Sequence, residues 1–256
     1  MSKRKVTREE QKQIWLSMLK EIDSFCRDHN LKYSLAYGTL IGAIRHKGFI
    51  PWDDDVDIMM PEPDIEILKK ELKSDTIGFI DVDTERYYNS SFPKICYKPT
   101  FRKYGVALNT YGVSIDLYPV VGLTSEKNEQ EKFIEKGTKI RKRVTSLYNL
   151  RNRIIRWFPI KSIPFFASSL RMLRNHVHQY PYDNSKYFFV HGGPVEWDEV
   201  YDYDLFETMT EVEFEGDKYM SIACYDKYLR AYYGDYMQLP PEDQRHPYHG
   251  GSFYWK

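Results

Sequence analysis

An α/β fold is predicted for this 256-residue chain by three observations. Thr7 to Glu10 reads T-x-x-E, a capping box, and it opens a run in which Ile14, Met18, Ile22 and Trp15, Leu19, Cys26 recur at helical spacing. Two later stretches, "DVDIMM" from Asp55 and "GVSIDLYPV" from Gly112, alternate as strands do. After Gly122 the pattern changes to helix with proline interruptions. The front half, residues 1–123, is therefore expected to be an α/β (α+β) core with a small mixed sheet, largely of antiparallel type. The back half, 124–256, is expected to be a mainly helical and looped extension.

The elements follow in order. The capping box and its periodicity predict a helix over 8–29. "KYSLAY" is short, aromatic and bounded, and is predicted as a strand that Gly38 breaks. Thr39 is expected to cap a short helix reaching Ile44, and "GFIP" to turn the chain into the "DVDIMM" strand. Pro61 and Pro63 end that strand, and Asp64 is expected to cap a helix reaching Lys73. "TIGFIDV" is a third strand; "FPKICYK" and "YGVAL" carry a weaker strand pattern. In "GVSIDLYPV", Val113, Ile115 and Leu117 alternate with Ser114, Asp116 and Tyr118, a strand with one acid on its polar side. Residues 126–180 and 218–233 are expected to be helical, the latter ending at Gly234.

Composition removes several function classes. Lys plus Arg and Asp plus Glu both number 37, so the chain lacks the basic excess of a dedicated nucleic-acid binder. Cys26, Cys96 and Cys224 are too dispersed for a zinc site or a disulfide framework, which points to a reducing cytoplasm. The start, "MSKRKVTREEQKQ", has no apolar signal core, and no run of about 18 apolar residues is present to span a bilayer.

The neutral total hides a segregation. Lys136 to Tyr182 is a stretch of 47 residues without an acid and with eleven Lys or Arg, followed by the acidic "EWDEVYDYDLFETMTEVEFEGD". The centre of the basic stretch mixes Arg151, Arg153 and Arg156 with Trp157, Phe158, Phe165 and Phe166. That composition suits a peripheral membrane contact through 136–182, cations meeting anionic headgroups. It equally suits aromatics packed on the core with the cations turned to the acidic stretch. Both readings stay open.

The acids raise a sharper question. Asp53, Asp54, Asp55 and Asp57 lie within five residues, and adjacent carboxylates are costly unless something positive offsets them. On a strand, Asp55 and Asp57 share one side. Mg²⁺ takes hard oxygen ligands, commonly one or two carboxylates plus substrate phosphates, and Asp116 is placed to be a third. Just upstream, a strand ending at Gly38 and a helix starting at Thr39 would aim free backbone N–H groups at an anion. Any of these features alone is ordinary; their order is specific.

That order resembles a known family. "YGTLIGAIRHKGFIPWDDDVDIMM" is similar to the signature of the LicD family, phosphotransferases that include bacterial choline-phosphate transferases and are related to fukutin-related protein. "VSIDLYPV" resembles the family's later aspartate strand, and "YYGDYMQLPPEDQRHPYH", Tyr232 to His249, its C-terminal motif. The resemblance covers 33–122 and about 218–249. It implies a nucleotidyltransferase-type fold, Mg²⁺ (or Mn²⁺) held by Asp55, Asp57 and Asp116, and donor phosphates at Gly38 and Thr39. It further implies a CDP-linked donor and transfer of the phospho-alcohol to a sugar hydroxyl, with CMP leaving. CDP-choline is the first expectation for the donor, with ribitol and glycerol phosphates as alternatives. A glycan or teichoic acid precursor, often lipid-linked, is the expected acceptor. Such an enzyme would work in the cytoplasm or on the inner face of the plasma membrane.

The remaining candidates carry ordinary readings beside functional ones. Arg45 could meet donor phosphates or cap the C-terminus of its helix. Lys94 is a donor contact or a solvated strand lysine. Asp53 and Asp54 are either partners of the metal-holding acids or turn residues, the turn being favoured, and Trp52 stacks on a base or, as favoured, packs. His176 and His178 have no acid or cysteine beside them and are expected to be structural; His191 has no partner visible in the sequence. Arg245, His246 and His249 are expected to help close the site. Two rivals remain: nucleotidyl transfer by the same acids, and a binding module without activity, which the full acid set argues against.

Overall fold

The structure is a computed structural model and describes residues 3–85, 88, 90–104, 107–109, 111–155, 164–191, 200–247 and 252–256. Helix α1 (Arg8–Asp28) starts as its sequence predicts: Thr7 Oγ1 accepts from the Glu10 amide and Glu10 accepts from the Thr7 amide. Its apolar stripe of Ile14, Trp15, Met18, Leu19, Ile22 and Cys26 is buried.

Strands β1 (Ser34–Leu35), β2 (Asp57–Pro61), β7 (Ser114–Leu123), β4 (Lys94–Tyr97) and β3 (Ile77–Ile80) lie side by side in that order, and β8 (Tyr187–Val190) and β9 (Val200–Tyr201) join through β7. β2 and β7 run parallel, and the other pairs of this sheet are antiparallel. The sheet is thus mixed and largely antiparallel. β7 is buried almost throughout, Asp116 and Tyr118 included. Its alternation marks two covered sides rather than one wet one.

The chain after residue 123 is more than a helical extension. Helices α4 (Lys127–Ile155) and α5 (Pro164–Val177) follow β7 as expected, but β8 and β9 then return to the main sheet. Phe188, Val190, Phe214, Tyr228 and Leu229 share one core with α1 and β2. The predicted helix over 218–233 is corrected. Its start belongs to β11 (Asp217–Ile222) and a shorter helix α6 (Tyr225–Tyr233) follows, while β11 pairs with β10 (Met209–Phe214) as a hairpin. Glu215 and Gly216 turn it with φ of 52° and 82°, the left-handed pair a tight hairpin needs.

A third, small sheet joins the chain's distant parts: β12 (Ser252–Trp255), β5 (Thr100–Tyr104) and β6 (Ala107–Asn109). "YGVAL" therefore supplies β6, and "TFRKY" supplies β5, a strand not anticipated. The Val6 amide donates to Phe253 O at 2.8 Å and Trp255 to Arg4 O at 3.0 Å, so the N-terminal segment is laced to β12.

Candidate active site

The register of the main sheet builds the site. Asp57 on β2 is the Cα partner of Asp116 on β7, and Asp116 is the partner of Lys94 on β4. One row across three strands thus reads acid, acid, base. Lys94 Nζ donates to Asp116 Oδ1 at 2.5 Å. The positive partner demanded by the clustered acids is therefore a buried lysine, not the solvated one that strand chemistry alone suggests. Burial by itself would lower the Lys94 pKa; Asp116, with Tyr111 and Asp57, outweighs this and raises it above the ordinary lysine value.

Asp57 is 6% exposed and Asp116 8%. Burial, followed by the charges of Asp55, Asp116 and Asp53, holds the Asp57 carboxyl well above the usual carboxylate range, while Lys94 acts in the opposite sense. Asp57 Oδ1 has no hydrogen-bond partner among the described residues. Upstream, oxygens of Asp53, Asp54 and Asp55 converge within 4.8 Å of one another. The Asp53 carboxyl is pushed up to about 8 by burial and by Asp55, with Asp54 contributing. Asp53 does close a turn, its amide donating to Ile50 O at 3.0 Å. The turn is also what delivers its side chain to the cluster. Reading Asp53 and Asp54 as turn residues alone is corrected on this point.

The Gly38–Thr39 segment is organised differently from expectation. Helix α2 (Tyr37–Ile41) starts two residues early, with Ala36 at the N-cap position, and runs into a π-helical segment, Gly42–His46. Thr39 is not a cap. It is inside the helix, and its Oγ1 accepts the Asp57 amide at 2.9 Å, fixing where β2 begins. A Cβ on Gly38 would lie 2.8 Å from Asp53 Oδ2. The glycine therefore lets a carboxylate approach the helix, and any side chain there would have to displace Asp53. The hairpin secures the loop that follows: Glu215 accepts the Phe49 amide at 3.0 Å, and the Glu215 amide donates to Lys47 O at 2.9 Å.

Arg45 faces away from the role first considered. It donates to the carbonyls of Tyr236 at 2.5 Å and Gln238 at 3.2 Å. It ties the "YYGDYMQLPPEDQ" segment to the helix, satisfying carbonyls that have left α6. Arg245 lies 5.6 Å from the Trp52 ring, so Trp52 is packed between the two motifs. His249 lies outside the described residues, and His246 Nδ1 contacts Pro247 O at 3.4 Å. Asp64 does not cap α3 (Glu62–Glu71) as expected but accepts the Lys32 amide at 2.8 Å.

His176, His178 and His191 each have a partner within the fold. His176 is buried against Phe133, its Nε2 contacting the Phe133 carbonyl at 2.8 Å. His178 Nδ1 bonds Glu62, and His191, buried, has a partner in the Ser91 carbonyl at 3.2 Å.

A cleft of about 270 Å³ opens beside this row. Asp54, Asp55, Lys94 and Asp116 line it. Also lining it are residues that the sequence does not assign to a site: Arg8, Gln11 and Trp15 from α1, Arg102 from β5, and Phe253 from β12. No motif marks them, because they meet only through the lacing of the two chain ends.

Carboxylates in register on neighbouring strands, only partly offset by one largely buried lysine at the edge of a cleft, make an acidic site suited to a hard cation and a phosphate-bearing substrate. The chain belongs to the LicD family, described as LicD/FKTN/FKRP, nucleotidyltransferase domain, whose family model matches residues 30–172. It is 29% identical to the lipopolysaccharide cholinephosphotransferase LicD of Haemophilus influenzae, across 96% of this chain and 97% of that protein. Shorter similarities, 38% over 28% of the chain and 45% over 19%, link it to uncharacterized proteins of Rickettsia prowazekii and Rickettsia typhi.

Proposed function

We propose that this protein is a phosphotransferase that moves phosphocholine from CDP-choline to a sugar hydroxyl of a cell-envelope glycan, releasing CMP. The observation that carries this reading is the pairing of Asp57 with Asp116 beside the Asp53–Asp55 cluster. It is supported by end-to-end similarity to a lipopolysaccharide cholinephosphotransferase. The acids fit Mg²⁺ or Mn²⁺: they are hard oxygen donors, convergent, under-compensated by one lysine, and include one orphaned buried oxygen. Asp55, Asp57 and Asp116 would hold the cation, with Asp53 and Asp54 alongside. Bound there, it would supply charge stabilisation for the phosphoryl oxygens.

The chain's own groups do the rest. Thr39 and the strand ladder hold Asp57, and Lys94 holds Asp116, so neither carboxylate must reorganise as charge develops. Gly38 and Thr39 act on the donor phosphates through the acids they position, Asp53 and Asp57, and Lys94 faces the phosphates directly. The acceptor oxygen attacks the phosphorus bearing the choline. Its proton passes to Asp116 or a neighbouring acid, and the bond to the bridging oxygen breaks, so that CMP departs.

The test is a panel of CDP-choline, CDP-ribitol and CDP-glycerol with Mg²⁺ and a glycan acceptor, followed by CMP release and acceptor mass. The expected result is CMP release, fastest with CDP-choline, and an acceptor heavier by phosphocholine. An acceptor heavier by a nucleotide, with phosphocholine released, would establish nucleotidyl transfer instead. CMP release fastest with ribitol or glycerol donors would change the alcohol, and a teichoic acid precursor would then be the favoured acceptor.

Cytoplasmic action with the basic stretch 136–182 resting on the inner leaflet completes the proposal. No described helix is long and apolar enough to cross a membrane. The apolar side of α5 is spent on packing, with Phe166, Leu170, Leu173 and Val177 buried, and Arg171 and Arg174 both bind Asp83. What supports the membrane contact is the remaining cations and the exposed Met172. The aromatic centre, 156–163, lies outside the described residues. Vesicles containing anionic lipid should pellet the wild type at low salt and leave behind a variant with Arg151, Arg153 and Arg156 changed to Glu. Equal pelleting of the two, or none, would reduce the stretch to packing.

A further inference from the structure

The cleft has further lining that the acids do not explain. Arg8, the first residue of α1, and Arg102, on β5, both line it together with Asp54, Asp55 and Asp116. Each guanidinium lies by an aromatic ring: Arg8 is 5.4 Å from the centroid of Trp15, and Arg102 is 5.4 Å from that of Phe253. The rings are firmly placed. Trp15 is 1% exposed, and its indole N–H donates to Ser114 O at 2.9 Å, two residues before Asp116 on the same strand. Phe253 is the register partner of Arg102, and its carbonyl accepts the Val6 amide, two residues before Arg8. Stacking on a fixed ring limits the freedom a guanidinium must lose on binding.

The charges divide by task. Lys94 is engaged by Asp116. Arg8 makes no ion pair with any described residue, although it is half-buried in a cleft shared with three acids. Two guanidinium groups brought to one small cleft suit an anion that offers pairs of oxygens to their planar forks, such as the tetrahedral phosphate of a phosphate ester. Arg8, Trp15 and Phe253 also lie outside the stretch that the family model matches, residues 30–172. This part of the cleft therefore combines Arg102, within the matched stretch, with residues of the two chain ends outside it.

We propose that Arg8 and Arg102 form a phosphate subsite beside the carboxylates, the acids serving the cation and the guanidiniums a phosphate oxygen pair. Which phosphate occupies it rests on the transfer reaction proposed above: the monophosphate of the departing CMP, or a phosphate carried by the acceptor. The subsite itself does not depend on that choice.

Calorimetric titration at low ionic strength with CMP, cytidine, glucose 1-phosphate and inorganic phosphate separates these sources. Wild type is compared with Arg8→Gln, Arg8→Lys and Arg102→Gln, with thermal melts to verify folding. Arg8→Gln should weaken a phosphate-bearing probe by about tenfold, the loss expected for charge-assisted bonds, and leave cytidine unchanged. Arg8→Lys should fall between, keeping charge but losing the fork. Loss confined to CMP assigns the subsite to the leaving nucleotide; loss confined to the sugar phosphate or inorganic phosphate assigns it to the acceptor. Affinities within twofold of wild type for all probes in both Gln variants, or no phosphate binding by wild type at millimolar concentration, would overturn it. CMP release from CDP-choline, assayed in parallel on the wild type, reports on the transfer reaction separately.

Discussion

Asp55→Asn, Asp57→Asn and Asp116→Asn are each expected to lower turnover by at least about a hundredfold, as loss of a group that stabilises developing charge does. The Asp55 and Asp57 variants should stay as stable as wild type, because those charges serve the ligand and not the fold, whereas Asp116→Asn also strands the Lys94 ammonium and should lower the melting temperature. Asp57 is buried among acids, and its carboxyl is held well above the ordinary range by burial and by Asp55, Asp116 and Asp53. Asparagine keeps the shape and removes a repulsive charge, so the melting temperature without divalent cation should equal or exceed that of wild type. The Thr39 bond to the Asp57 amide is a backbone contact and survives the change. CMP release with saturating donor and Mg²⁺, beside a thermal melt, reads both. Near-normal turnover in the Asp57 or Asp116 variant would remove the acid row from the chemistry. A collapse in stability of the Asp57 variant would instead make it structural.

Lys94→Met should behave in the opposite way. Lys94 and Asp116 side chains are 18% and 12% exposed. Removing one member of a buried ion pair strands the other charge, typically at a cost of about 3–5 kcal/mol. For a chain of this size that amounts to a fall in Tm of roughly 10 °C. Here the stranded charge stands beside Asp57, so the penalty has a second source. Millimolar Mg²⁺ should raise the Tm of the variant more than that of wild type, because the cation replaces the missing ammonium as counter-charge and stabilises the state that binds it. A variant melting within 2 °C or so of wild type would mean that Lys94 is not the counter-charge of the row. An equal response to Mg²⁺ in both proteins would place the cation away from Asp57 and Asp116.

These outcomes bear on how much of the protein its sequence announces. Helix α1 was legible in full, because a capping box and a 3.6-residue stripe are local signals that tertiary packing reinforces. β2 and β7 were legible for the same kind of reason, and with them Asp57 and Asp116 as polar residues on apolar strands. The helix expected over 218–233 takes in β11, and β10 is not anticipated, although "TEVEF" alternates and Glu-Gly is a turn dipeptide. The local signal was present, and the helical run of α6 just after it masked the boundary. β5 was missed for a different reason. Its partners β6 and β12 do not advertise it, and β12 lies some 150 residues away.

The sequence by itself determined the acid set, the mixed α/β class and the family resemblance, since each rests on residue identity and short spacing. Only the tertiary structure decided what those acids face. Lys94 is a buried counter-charge because β4 lies beside β7 and their register aligns it with Asp116. Gly38 is a glycine because Asp53 turns back over it. Arg45 holds carbonyls because α6 ends where the C-terminal motif passes it. Arg8 and Phe253 line one cleft because the chain's two ends pair there. Side-chain type and periodicity are properties of neighbouring residues, whereas the charge a residue meets is set by strand register and by packing between elements far apart in the chain.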